Sequence, residues 1–250
     1  MAALWARQLR TQNATSVDAA WSALIGVCGT GMALLAGGSD VQRWVAAAVA
    51  LGWSTRLTHH LLRDRVFGHA EEDGRYRAMR EHWGAGAGLQ FAWFYQAQAI
   101  AALAFSLPFL LAATNPAGNL APVQWAGIGL SLLAVLGEGL ADRQLAAHRA
   151  DPTKRGLACR AGLWRYSRHP NYFCEWLVWC GIAMLCWPAP HGAWGLLAPA
   201  VMFVLVRFVT GVPYAELRSL KSRGDDFRRY MGETNTFVPW FPRAPRDGVR

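Results

Sequence analysis

Six apolar runs divide the chain, at residues 17–37, 41–62, 89–113, 123–141, 171–187 and 192–212. A bilayer core about 30 Å thick takes about 20 apolar residues per helix, and most of these runs reach that length. In lipid the backbone has no water to bond, so such runs span as helices. The fifth run is short and holds Glu175, which suits a place inside a bundle. The pattern predicts an all-α fold: one integral membrane domain over residues 1–250, a polytopic transmembrane helix bundle of about six (six to seven) spans. No repeat, low-complexity tract or Pro/Ser-rich linker divides it.

Composition supports the same class. Of the 250 residues, 53% are apolar and 16% charged, against about 25% charged in soluble domains; that hydrophobicity also excludes a disordered chain. The net charge of +9 would suit nucleic acid if it covered a soluble surface. Instead, 22 of the 25 Lys and Arg fall in the tail before the first run (Arg7, Arg10) and in segments 63–80, 143–168 and 218–250. The connections 38–40, 114–122 and 188–191 carry none. This alternation places both termini and the basic loops on the cytoplasmic side, with no nucleic-acid partner; Arg43, near the outer end of the second run, is the exception. The first run is too long for a cleaved signal peptide, and five more follow it. The five cysteines contain no CxxC and no zinc-ligand spacing, so they are expected as small packing residues and no metal is expected. The GAGAG run at 84–88 lacks the GxGxxG spacing and a preceding strand, so it is not a dinucleotide fingerprint; it is expected as a flexible lead into the third helix.

Chemistry in such a chain comes from ionisable groups at membrane depth and from the cytoplasmic loops, because a charge inside a span is costly unless it functions or is paired. Glu138 and Asp142 lie four apart on the fourth helix, so they share a face, and Arg149 continues it if the helix persists. Asn171 and Glu175 repeat the spacing on the fifth. The densest constellation is GLWRYSRHPNYFCE, at 162–175. Pro170 disfavours helix at His169 and suits the first position of a new helix. Arg165, Arg168 and His169 therefore gather before a helix start that already favours anions, and arginine's planar fork suits phosphate. A basic segment touching lipid headgroups would need neither Asn171 nor Glu175.

The stretch GLWRYSRHPNYFCE, with GEGLADRQLAAHR (137–149) before it and DDFRRYMGETNTFVPW (225–240) after it, resembles the steroid 5α-reductase-like membrane family and, within it, an uncharacterised bacterial branch. The similarity spans roughly residues 50–242, and RHPNYFxE is its most specific block. The resemblance implies a multi-pass bacterial inner-membrane reductase that uses NADPH on an enone-type C=C bond of a lipophilic substrate, with the cofactor in a cavity closed by the cytoplasmic loops and the C-terminal segment. It implies cofactor contacts from Asp142 (adenosine half), Arg149 (phosphate), Asn171 and Glu175 (nicotinamide end), with Glu138 where eukaryotic members tend to have asparagine. Arg165, Tyr166, Arg168, His169 and Tyr172 of the block, and Arg223 and Tyr230 of the tail, complete the expected cofactor set. Tyr230 and Pro239 match the tail pattern.

The family's early substrate-holding Glu and Tyr are not matched. The first run holds no carboxylate beyond Asp18, and Trp53 falls at the tyrosine position. His60, seven residues on and so on about the same helix face, is the expected proton donor, since imidazole titrates near neutrality. A histidine at a helix end that simply meets the cytoplasm is the alternative. Two other functions fit parts of the sequence. Isoprenylcysteine methyltransferase-like membrane proteins share RHPxY and a glutamate, basic helix, Tyr and Pro tail (here Glu216, Gly224, Tyr230), and use S-adenosylmethionine. A non-catalytic protein could hold membrane lipids with the basic loops alone. The substrate's identity and the oligomeric state are not encoded legibly.

Overall fold

The protein is described by a computed structural model over residues 1–67 and 71–243; Arg246 and Arg250, counted above in the C-terminal basic group, lie outside the described residues. Among these residues the structure is all-helical, without strands. The helices are α1 (Ala2–Thr11), α2 (Val17–Leu35), α3 (Asp40–Leu61), α4 (Gly74–Trp83), α5 (Ala87–Ala113), α6 (Pro122–Ala150), α7 (Pro170–Cys186), α8 (Leu197–Val204) and α9 (Val212–Glu233). One-turn π segments extend α3 (Leu62–Val66) and α8 (Leu205–Val209). Within the GAGAG run Gly84–Gly86 form a 3-10 turn, and Ala87 and Gly88 already belong to α5.

Among the described residues four helical stretches are long and apolar enough to cross a membrane: Val17–Leu35, Gly74–Ala113, Pro122–Ala150 and Gly192–Glu233. Their outward positions are apolar too, including Val27, Trp93, Leu132, Leu133 and Val201. A soluble surface rarely carries contiguous apolar area on that scale, so these helices are compatible with a multi-pass membrane protein. Two of the six runs fall short of the same standard. Helix α7 has 17 residues, a rise of about 25 Å. Helix α3 is diluted by Asp40, Gln42, Arg43, Arg56 and two histidines.

The chain forms two compact units: Met1–Gln124 with Leu185–Trp194, and Trp125–Met184 with Gly195–Arg250. In the first, α2 packs on α3 and α5 through small residues, which let helices approach closely where lipid removes the hydrophobic drive. The hydroxyl of Ser54 donates to Ser22 O at 2.7 Å, opposite Gly26. Ser106 Oγ reaches Ile25 O at 3.3 Å. Asp18, in the first turn of α2, accepts from Arg65 (3.0 Å), Arg75 (2.5 Å) and the Tyr76 hydroxyl (2.5 Å), tying α4 to the start of α2. Arg43 donates to Leu34 O, capping the C-terminal end of α2, and pairs with Asp40 at 3.1 Å, so the cation beside the connection 38–40 is held by a main-chain carbonyl and a carboxylate.

The second unit is organised on an antiparallel pair, α6 and α7. A Cβ on Gly181 would lie 2.2 Å from Ser131 Oγ and 2.5 Å from Gly127 O, so only glycine permits this approach. Farther along the seam, Cys174 Sγ comes to 3.0 Å of where a Gly137 Cβ would stand, and Asn171 meets Asp142 at 3.3 Å. One register thus runs from 181 opposite 127 and 131, through 174 opposite 137, to 171 opposite 142. Helix α9 bends at Gly224, whose φ of 51° and ψ of −123° suit a residue without Cβ.

Candidate functional site

The α6–α7 seam is polar at the end near the basic loops. Asn171 Nδ2 donates to Asp142 Oδ1 at 3.3 Å. One turn deeper on each helix stand Glu138 and Glu175, only 5% and 9% exposed, flanking the Gly137–Cys174 contact. Glu175 Oε1 accepts from Trp179 Nε1 at 2.9 Å. Because the helices are antiparallel, the two i, i+4 pairs descend together: an amide and a carboxylate at the rim, two carboxyl groups below. The 3-10 turn Gly162–Arg165 is seated on α6 by Trp164 Nε1 donating to Ala141 O and Leu163 N donating to Gln144 Oε1, both at 2.9 Å.

Beyond the last turn of α6 lies an open cleft of about 410 Å³ lined by His148, Arg149, Lys154, Arg155 and Arg223, with Asp151 the one acid. Asp151 is already engaged: Lys154 at 2.8 Å and the Thr153 hydroxyl at 2.6 Å hold its pKa down to about 2. Arg223 Nη1 rests on Ser219 Oγ at 2.9 Å. The C-terminal carbonyls of a helix repel an anion, so an anion held here depends on side-chain cations, and the cleft has them in excess. The neighbouring Cys159 is buried, which pushes its thiol pKa up and leaves it protonated at neutral pH.

A third cluster holds the RHPNY block to the tail. Arg168 is buried and uses four of its five N–H groups: Nε to Glu216 Oε1 (2.7 Å), Nη1 to Met231 O (3.0 Å) and Thr234 O (2.6 Å), and Nη2 to Thr236 Oγ1 (2.7 Å). His169 Nε2 shares Glu216 Oε1 at 3.3 Å and its ring stacks on Tyr172, with centroids 5.4 Å apart. Burial drives the His169 pKa below its ordinary value, more strongly than Glu216 raises it, so the ring is neutral at pH 7. The Tyr230 hydroxyl donates to Trp164 O. Arg160 joins the loop to α9 through Asp226 (2.9 Å) and Glu233 (3.3 Å).

A family match covers residues 4–234, almost the whole of this architecture: DUF1295, described as a protein of unknown function. The chain belongs to the DUF1295 family. Neither the curated proteins nor the solved structures match it.

In this DUF1295 chain the residues singled out from sequence fall into separate groups. Arg149 and Arg223, 74 positions apart, line one cleft. Asp142, Asn171, Glu138 and Glu175 share the α6–α7 seam. Arg168, His169, Tyr172 and Tyr230 belong to the tail-holding cluster, and there Arg168 is taken up by protein partners. Arg165 and Tyr166 are exposed. His60 lies near the end of α3, half-buried, in the first unit. Lys154 and Arg155 of the cleft were not singled out. The signal was present in DPTKRG (151–156): an Asp that caps a turn beginning with Pro, then two cations and a glycine. No group of three or more His, Cys, Asp or Glu side chains suited to a metal occurs among the described residues.

Proposed function

We propose that this DUF1295 chain is a membrane-embedded, NADPH-dependent reductase of a C=C bond in a lipophilic enone of steroid-like, isoprenoid or fatty-acyl type. The observation that carries the reading is the junction of the basic cleft with the polar α6 face. Arg149 lines the cleft, and seven residues back along the same helix Asp142 meets Asn171. The donor set fits a dinucleotide phosphate. Its cations exceed its carboxylates, and the single acid is already paired with Lys154. The resemblance to steroid 5α-reductase-like proteins supports the same choice of cofactor.

When bound, NADPH supplies the hydride. Arg149, Arg155 and Arg223 bind its phosphates. Asn171, whose amide both donates and accepts, and Glu175, which accepts, orient the carboxamide end. Glu138 and the Trp179-bound Glu175 keep that depth polar. The apolar helices exclude water from the reacting centre and admit a substrate from the bilayer. His60, on α3 of the first unit, is the proton donor proposed from its imidazole chemistry alone. The helices α3 and α7 complete six crossings in the inner membrane, with the basic loops and both termini cytoplasmic.

The test is binding and turnover with the full chain purified in detergent. Arg149→Ala and Arg223→Ala should each raise the NADPH Kd about 10- to 100-fold, the range of one or two hydrogen bonds to a charged group. Asn171→Ala and Glu175→Ala should lower turnover more than they weaken binding. Saturable binding of S-adenosylmethionine with none of NADPH would replace this reading by the methyltransferase. Binding of neither, with retention of anionic lipid, would leave a lipid-binding protein.

A further inference from the structure

After α9 the chain does not drift off. It runs back across the RHPNY loop as an extended strap, held by main-chain bonds on both sides. Arg168 N donates to Asn235 O (2.8 Å), Trp240 N to Tyr166 O (2.9 Å) and Arg243 N to Glu233 O (2.8 Å), while Ser167 Oγ donates to Phe237 O (2.7 Å). Phe237 turns inward, its ring packed on Phe203 (5.4 Å) and Phe173 (5.7 Å). The next residues turn outward: Trp240 is 66% and Phe241 74% exposed, although their backbone is fixed. Phe241 meets the edge of Tyr166. Arg165 and Arg243 flank this apolar tip, both exposed, with no carboxylate bonded to either among the described residues.

Where the strap lies indicates what covers it. Through Phe203 it adjoins Phe208, at the point where the last apolar stretch gives way to the charged helix α9. That is the depth of a membrane interface, where tryptophan and tyrosine are enriched and arginine attracts anionic headgroups. We propose that the 238–243 strap is an interfacial anchor: Trp240 and Phe241 seat at the headgroup–acyl boundary of the membrane, and Arg165 and Arg243 hold anionic lipid phosphates. The anchor is independent of the reaction assigned above. Its consequence is that lipid composition bears directly on the loop that Arg168 and Ser167 pin.

The full chain labelled with 5-fluorotryptophan and reconstituted into phosphatidylcholine vesicles, with and without phosphatidylglycerol, tests this. The Trp240 resonance among the 13 tryptophans is identified by its loss in Trp240→Phe. Lipid spin-labelled near the top of the acyl chain should broaden that resonance, and a water-soluble paramagnetic agent should not. An anionic spin-labelled lipid should broaden it severalfold more than a zwitterionic one, and Arg165→Gln with Arg243→Gln should abolish the difference. Broadening by the water-soluble agent alone places the strap in solvent and overturns the proposal. Broadening by neither agent places it under protein and overturns it as well. An unchanged anionic preference in the double variant overturns the role of the arginines.

Discussion

Arginine illustrates how one residue type serves opposite purposes in this chain. Arg168 sits in the most recognisable block, yet its guanidinium is consumed by Glu216, two main-chain carbonyls and a threonine hydroxyl. Arg149, in a plainer sequence, lines an open cleft. Removing the first should damage stability and removing the second should damage binding. Arg168→Ala strands a half-buried carboxylate, at a cost of about 3 kcal/mol, or roughly 6–12 °C in a thermal melt of a chain this size. Arg165→Ala, at an exposed position, should stay within about 0.5 kcal/mol of the parent. His169 supplies a pH dependence. Burial lowers its folded pKa, so the unfolded chain binds the extra proton first. Its contribution is therefore complete above the unfolded value of about 6.5 and is lost as pH falls through the window below it. A melt series from pH 8 to 5 should decline less steeply for His169→Gln than for the parent. Equal slopes would mean that other groups dominate the acid limb.

At the scale of elements, the close approach of α6 and α7 depends on the lack of a side chain at Gly181. Gly181→Ala puts a methyl against Gly127 O and Ser131 Oγ, an overpacking expected to cost about 1–3 kcal/mol. Gly139→Ala on α6 has open space around it, so it should be neutral or stabilise by up to about 1 kcal/mol through helix propensity. If both substitutions behave alike in a thermal melt, the seam is not closely packed there. The positions of the helices were largely readable in the sequence, because apolar run length and Pro placement act locally: α7 begins at Pro170, as X-Pro restriction requires. Helix α1 was not read. A ten-residue segment with two arginines passes for a tail, and its identity as a helix rests on Met1, Leu4 and Trp5 packing in the first unit, with Trp5 Nε1 donating to Gly88 O at 2.9 Å.

At the scale of the molecule, the basic excess is partitioned rather than spread. Part of it is neutralised in ion pairs such as Asp18 with Arg65 and Arg75, or Asp226 with Arg160, and part is left facing the open cleft. An exposed cleft is screened by salt, so the NADPH binding proposed above should weaken steadily as ionic strength rises from about 0.05 to 0.5 M, with a shallower fall in Arg149→Ala. A titration in which salt has no effect would argue against phosphates in the cleft. The sequence by itself determined that this is an all-helical, apolar-run protein with its cations in alternate connections, since the transfer of a side chain into lipid depends on that side chain and its near neighbours. It also determined the shared faces Glu138/Asp142/Arg149 and Asn171/Glu175, because helical periodicity is local. Only the tertiary structure decided which cations are consumed and which line a cleft. The partner of Arg168 lies 48 residues away, and Arg223 joins Arg149 from a helix bent at Gly224. Such pairings follow from how helices pack, which no local spacing specifies.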